Sequence, residues 1–437
     1  MQSTRLILYL IVVSVLCGFV CAEDWSVQFF PKDAECFMGR SVQVNVTINS
    51  TENSVSDFVF ISEFSKLAEV GRIISTENQS ELQLDIDCHL LGMSEIYVDY
   101  GGVKLNNTLK VIIMKEMKFL DQMFSVTVAL VITFLYINFG AALDFDVLKD
   151  ILKKPVGPSI GFLCQYGLMP LLGFVLGYLI FPNEVHFRLG LFFISVAPGG
   201  GTSNIFTVIL DGNINLSIAM TTISNIAALG MMPFWIFTLG AIIFEDFHFE
   251  VPYATVAIFC CGMVIPLCIG MAIQKYLPVV SKFLVRILKP VSIILMLWMT
   301  IIGIWSELEI FPLFTWKIMF AGMGLPWTAY LISWCVAKIF KQSNRDALTI
   351  ALEAGIQNIV IAIFLLRFTL PQPYQDLAIL IPGCITLMGP LPLLILLVVK
   401  KCVSAFQKEE KDEKYAVIPQ NIKAKELEIV LIKSVRS

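Results

Sequence analysis

The chain has 437 residues, of which 57% are hydrophobic and only 15% charged, against roughly 25% charged in a soluble domain. That apolar surplus exceeds what soluble cores of this length absorb and places the chain among integral membrane proteins. A net charge of −4 leaves no basic footprint for nucleic acid.

At the start, Arg5, the apolar stretch 6–16 and the small-residue site Val20-Cys21-Ala22 predict a secretory signal peptide over residues 1–22. An uncleaved anchor helix is the other reading, weakened because so short a stretch is marginal for spanning a bilayer. Residues 23–118 then alternate polar and apolar side chains in "SVQVNVTI", "ELQLDIDC" and "TLKVIIM", the period of half-buried strands. This predicts a small β-rich, sandwich-like extracellular domain. Four acceptor triplets, at Asn45, Asn49, Asn78 and Asn106, predict a glycosylated luminal segment. Of the eleven cysteines, only Cys36 and Cys88 fall in it. In an oxidising lumen they are candidates for a disulfide, and two buried unpaired thiols are the alternative.

Residues 119–400 predict a transmembrane domain. Its charges fall between nine long uncharged runs: 122–143, 155–183, 189–210, 212–244, 251–274, 290–306, 318–337, 347–366 and 377–399. Each is near or beyond the ~20 residues an apolar helix needs to cross, with 290–306 the marginal case. With the N-terminal domain outside, the inward-facing segments carry Lys149, Lys153, Lys154, Lys275, Lys282, Arg286, Lys289, Lys338, Lys341, Arg345, Lys400 and Lys401. The outward loops after the first span carry only Arg188, Lys317 and Arg367 among many carboxylates. This is the positive-inside pattern, and it agrees with the acceptor triplets. The expectation is a multi-pass plasma-membrane protein with an extracellular N-terminus and a charged, loosely ordered cytosolic tail over 401–437.

Within the runs, Glu353 is the one Asp, Glu, Lys or Arg. A charge near the bilayer centre costs ~2.5–3.5 kcal/mol even on the lenient insertion scale. No Lys or Arg in any run can neutralise it, so either a mobile cation does, or the side chain stays protonated between helices. The surrounding "EAGIQN" favours the cation. Gly355 weakens the helix so that backbone carbonyls can turn away, and Gln357 and Asn358 add oxygens beside them. Hard cations such as Na⁺ take oxygen ligands, and unwound helix segments at mid-membrane supply them.

A second interruption, "APGGGTSN" at 197–204, lies in the third run, where Pro198 and three glycines break the helix beside Ser203 and Asn204. The third and eighth runs are an odd number apart and so cross in opposite directions, the pointer to an inverted-repeat transporter with two broken helices. Ser217 and Thr221 share one helix face in the fourth run. Buried hydroxyls also simply bond the carbonyl one turn back. Gln165, in "FLCQYGLMP" of the second run, is a further membrane amide, which by itself could only bridge helices.

"FLCQYGLMP", "APGGGTSN", "LSIAMTTISNIAALGMMP" and "EAGIQN", in that order, resemble the sodium/bile acid cotransporter family over about residues 120–400. The resemblance implies panel and core domains, the core holding two crossed, unwound helices. Carried over by motif, it implies one sodium site from Ser203, Asn204, Ser217, Thr221 and Glu353. A second would use Gln165, Glu353, Gln357 and the backbone at Ala354 and Ile356. Gly200, Gly201 and Asn358 would then border the substrate. The added N-terminal domain departs from the typical carriers of the family and leaves the substrate open.

The expected function is thus secondary active transport: a sodium-coupled symporter of an amphipathic organic anion, of bile acid or sulfated steroid type. It needs no cofactor besides sodium as coupling ion, and its partners are that anion, Na⁺ and membrane lipid. Coupling to protons through Glu353, a sodium-independent carrier, and a non-transporting protein whose ectodomain binds a partner are the alternatives. Catalysis is disfavoured: the runs hold no aspartate pair, and His89, His186 and His248 lie outside them without metal spacing.

Overall fold

A computed structural model describes residues 26–49, 58–75, 81–100, 103–117, 119–143, 153, 155–246, 251–306 and 312–416. The expected signal peptide, the triplet at Asn78 and the tail beyond 416 lie outside these. Eight strands open the chain: β1 (Ser26–Phe30), β2 (Asp33–Phe37), β3 (Ser41–Asn49), β4 (Phe58–Ser62), β5 (Ala68–Ser75), β6 (Glu81–Cys88), β7 (Gly92–Tyr100) and β8 (Val103–Met114). They form two four-stranded sheets, ordered β1-β3-β6-β5 and β2-β8-β7-β4, with β2 and β8 parallel and the other pairs antiparallel. Period-2 alternation turns Val44, Val46, Leu84 and Ile86 of one sheet and Ile96, Val98, Leu109 and Val111 of the other into a shared core. Asn45, on the opposite face of β3, is exposed.

Cys36 and Cys88 are buried free thiols. Burial pushes both ionisations up, and each thiol acts on the other, so the two are neighbours across the sandwich. The candidate disulfide is therefore not formed in this structure, but the proximity it needs is present.

The helical region follows the uncharged runs, with informative departures. The first helix, α1 (Phe119–Ala142), is unbroken. α2 (Val156–Leu163) passes through a wide π-type turn (Cys164–Leu168) into α3 (Met169–Ile180). The third run splits into α4 (Val185–Val196) and α5 (Thr202–Ile209). α6 (Ile214–Trp235) continues through a second π-type turn (Ile236–Gly240) into α7 (Ala241–Glu245). Next come α8 (Tyr253–Tyr276), α9 (Pro278–Ser306) and α10 (Trp316–Ile339). The eighth run splits into α11 (Asn344–Gly355) and α12 (Ile359–Thr369), and α13 (Tyr374–Met388) and α14 (Leu391–Ala416) close the chain. Among the described residues, six stretches are long and apolar enough to cross a membrane, and α4 and α12 are shorter apolar helices.

Two boundaries are corrected. The marginal run 290–306 is the second half of a 29-residue helix, because Lys282, Arg286 and Lys289 continue α9 rather than end it. Long cationic side chains can carry their charge to the interface while the stem stays in apolar surroundings. The tail does not begin as coil either: α14 runs to Ala416, through "QKEEKDEK", a stretch composed largely of good helix formers.

The helices fall into two packed groups. α1, α8 and α9 pack chiefly on one another, while α2–α7 and α10–α13 interlock separately. The β domain is seated on the second group. Leu91, 1% exposed, belongs to the core that holds Phe181, Leu377 and Ile381, and the Tyr374 hydroxyl donates to Met93 Sδ at 2.8 Å.

Candidate functional site

The two helix breaks meet. Pro198 and the following glycines release the chain after α4, and the chain after Gly355 is likewise extended at Ile356 (φ −96°, ψ 102°). The extended segments cross antiparallel, with Gly199 opposite Gln357. Gly200 N–H donates to Ile356 O and Asn358 N–H to Pro198 O, both at 2.8 Å. Backbone groups that an unbroken helix would have satisfied internally thus satisfy each other, as a dry interior requires. The approach is close enough to demand glycine: a Cβ on Gly200 would stand 2.7 Å from Gln357 O.

Glu353 lies in the last turn of α11 and is 1% exposed. Three hydroxyls from two other helices converge on its carboxylate. Ser203 Oγ (α5) donates to Oε2 at 2.7 Å, Ser217 Oγ (α6) to Oε2 at 3.3 Å, and Thr221 Oγ1 (α6) to Oε1 at 2.5 Å. The i,i+4 spacing read from the sequence puts Ser217 and Thr221 on the face that looks at α11. Asn204 Nδ2 donates to Thr221 Oγ1 at 3.3 Å, while its Oδ1 is buried without a hydrogen-bond partner. Among the described residues, no lysine or arginine pairs with Glu353.

The second expected group gathers one layer away. Gln165, carried on the π-type turn, donates through Nε2 to Ala197 O (2.8 Å) and to Gln357 Oε1 (2.7 Å), and its Oε1 is buried and unpartnered. Gln357 Nε2 donates to Ala354 O at 2.5 Å, and Ile356 O takes the Gly200 amide, so both expected backbone oxygens are at the crossing. Of the residues expected to border a substrate, Gly200 is buried in the crossing and Gly201 is exposed with open space beside it. Asn358 is half-buried and caps α12 by accepting from Ile361 N–H at 3.3 Å.

Chemically this is an oxygen cage: a buried carboxylate, three hydroxyls able to turn their lone pairs inward, and two orphaned amide oxygens. Buried oxygens of this kind without donors are what a hard monovalent cation would complete.

The sequence reading missed the parts that hold the crossing in place. Ser224 Oγ accepts from Gly199 N–H at 2.9 Å. Tyr166 Oη donates to Ser224 O at 2.5 Å, and Trp235 Nε1 donates to Tyr166 O at 2.7 Å, a carbonyl in the π-type turn. Ser224 lies on the face of Ser217 and Thr221, three residues further on, and that stripe is the signal that would have found it. A cavity of about 40 Å³ lies between α1, α6 and α8, lined by Tyr136, Phe139, Thr222, Asn225 and Leu267 among others. It has room for a water or two rather than for a ligand of the ~300 Å³ that small-molecule pockets begin at.

Comparison with known proteins bears on this geometry. A model of the Sodium Bile acid symporter family matches residues 129–311. The bovine sodium-dependent organic anion transporter is 30% identical over 264 residues, 59% of this chain and 68% of that protein. The chain belongs to the sodium bile acid symporter family. The human hepatic sodium/bile acid cotransporter is 29% identical over 57% of this chain and 72% of its own length. The human P3 protein is 29% identical over 60% of this chain, but the match spans only 54% of that longer protein. Domains of the S-layer protein SbsC match 21% of the chain at 13% identity and a TM-score of 0.18, too low to carry a fold argument.

Proposed function

We propose that this chain is a sodium-coupled symporter of an amphipathic organic anion, of bile acid or sulfated steroid type, working by alternating access. The observation that carries the reading is the convergence of Ser203, Ser217 and Thr221 on the buried Glu353 at the crossing of two broken helices. Relatives named as sodium/bile acid cotransporters and as a sodium-dependent organic anion transporter support it. In this reading nine spans form two inverted repeats. α1, α8 and α9 are the panel, and the remaining helices are the core that carries the ions. The β domain is extracellular and glycosylated at Asn45, Asn49, Asn78 and Asn106, Cys36 and Cys88 join there as a disulfide, and the tail is cytosolic in the plasma membrane.

One Na⁺ sits among Ser203, Asn204, Ser217, Thr221 and Glu353, and a second among Gln165, Glu353, Gln357 and the carbonyls of Ala354 and Ile356. The hydroxyls that donate to Glu353 without the ion rotate to offer lone pairs to it, while the carboxylate remains an acceptor throughout. Ion binding thus lifts the penalty of the buried charge and stabilises the crossing that borders the substrate at Gly200, Gly201 and Asn358. Two Na⁺ moved with one monoanion carry one net charge, worth ~2.3 kcal/mol per 100 mV. Adding ~1.4 kcal/mol per ion for tenfold gradients gives ~5 kcal/mol, enough for about a thousandfold accumulation.

The test is uptake of labelled bile acids and steroid sulfates by cells expressing the protein. The reading requires uptake that vanishes when choline replaces Na⁺ and that Glu353→Gln abolishes with surface expression intact. Uptake driven by an acid-outside gradient in Na⁺-free medium would replace sodium by protons, and uptake indifferent to both would sink the ion-coupled reading.

A further inference from the structure

At the N-terminal end of α1, far from the oxygen cage, four charged side chains are gathered in a largely dry junction. Lys115 follows β8 and its Nζ pairs with Asp121 Oδ1 at 2.9 Å, the side chains only 4% and 6% exposed. Asp376, in the first turn of α13, is 2% exposed, has Oδ2 buried without a hydrogen-bond partner, and lies within electrostatic reach of Arg367, Lys115 and Asp121. Arg367, in the last turn of α12, lays its guanidinium over the Phe124 ring at 4.9 Å and reaches Ser125 Oγ at 3.4 Å. Two cations and two carboxylates balance.

Their origins give the arrangement meaning. Lys115 belongs to the end of the β domain, Asp121, Phe124 and Ser125 to α1 of the panel, and Arg367 and Asp376 to α12 and α13 of the core. The β domain itself is fixed to the core through Leu91 and the Met93–Tyr374 contact. A separation of α1 from α12 at this end would strip Arg367 from Phe124 and Ser125 and part Asp121 from Lys115. Breaking one such contact leaves a buried charge uncompensated, at a cost of several kcal/mol, until water enters and hydrates all four groups. The cluster is therefore either closed and dry or open and wet, which is the behaviour of a gate.

We propose that Lys115, Asp121, Arg367 and Asp376 form the extracellular gate of the panel–core cleft, and that the β domain, through Lys115, holds it shut. This rests on the transporter reading for the motion, but its test needs neither substrate nor sodium. Val128, one turn below Phe124 on α1 and 1% exposed, is the reporter. Val128→Cys is labelled in intact cells with a membrane-impermeant cationic thiosulfonate, with the parent protein's own labelling subtracted and surface protein measured by biotinylation.

Lys115→Met and Arg367→Gln should each raise the labelling rate fivefold or more. Lys115→Asp should raise it too, and adding Asp121→Lys, which restores opposite charges, should return it to within about twofold of the parent. Rates unchanged in both single variants that reach the surface would overturn the proposal. So would a rise that the swapped pair fails to reverse, which would make Lys115 a packing element only. Raised labelling in a protein whose uptake ignores Na⁺ would keep the gate and reject the coupled-transport reading, so the two failures are distinguishable.

Discussion

Gly200→Ala is the sharpest probe of the helix crossing. The added methyl would stand 2.7 Å from Gln357 O and 3.1 Å from Gln357 C, backbone against backbone, so no side chain can swing aside. Overpacking of this kind costs ~1–3 kcal/mol. Parting the strands also weakens the Gly200–Ile356 and Asn358–Pro198 bonds, two buried hydrogen bonds at ~1 kcal/mol each. The sum, ~3–5 kcal/mol, shifts the crossing by more than a hundredfold at ~1.4 kcal/mol per factor of ten. Gly201→Ala is the matched control. Its backbone is already helical (φ −59°, ψ −16°) and nothing stands within 4 Å of the added carbon. Thermal stability of detergent-purified protein should fall severely for Gly200→Ala and stay near the parent for Gly201→Ala, and Na⁺-driven uptake, normalised to surface expression, should fall severely for Gly200→Ala. Equal thermal stability of the two variants would refute the argument from close approach.

Ser224→Ala leaves the Gly199 amide without its acceptor at a buried site, a loss of ~1–3 kcal/mol. It should raise the Na⁺ concentration for half-maximal uptake about tenfold, and an unchanged sodium curve would show that Ser224 does not position the crossing. At the loop end of α7, the Tyr178 hydroxyl and then Arg188 hold the Asp246 carboxyl below the usual carboxylate range. That stability is present above the ordinary carboxylate range and is lost as pH falls through the lowered folded value, so the contact should persist from pH 8 to 5. Asp246→Asn should cost ~1–2 kcal/mol at neutral pH, after discounting for a carboxylate that is 40% exposed, because Arg188 is left buried without its counter-charge. A melting point that does not move would contradict it. A luminal β domain predicts a mobility shift on glycosidase treatment, lost stepwise as Asn45, Asn49, Asn78 and Asn106 become Gln. It also predicts a Cys36–Cys88 peptide in non-reducing digests; an unglycosylated surface protein would invert the orientation argued here.

Much of the site was legible because its chemistry is local. A lone carboxylate in oil, glycines beside a proline, and amides and hydroxyls at helical spacing announce themselves in short windows, and the structure brings Glu353, Ser203, Ser217 and Thr221 together. What was not legible depends on tertiary neighbours. The π-type turn at Cys164–Leu168 has no signature in its apolar sequence, and the bonds of Tyr166 and Trp235 only make sense once α2 and α6 are side by side. Charge counting began the sixth run only after Lys289, whereas α9 starts at Pro278 and passes through three basic residues before it. Lys115 and Asp121 lie outside the uncharged runs, and only the packing of Leu91 and of Met93 in β7 against the helical core goes with their burial.

The central claim, that sodium completes the cage around Glu353, is most directly tested by the melting temperature of purified protein titrated with NaCl against choline chloride at constant ionic strength. A ligand that binds only the folded state stabilises it by RT ln(1 + [L]/Kd), so sodium at about 100 times its Kd should add ~2.7 kcal/mol. The account predicts a sodium-specific rise in melting temperature for the parent that Glu353→Gln removes. A melting temperature indifferent to the choice of cation, or a sodium gain that survives Glu353→Gln, would contradict it.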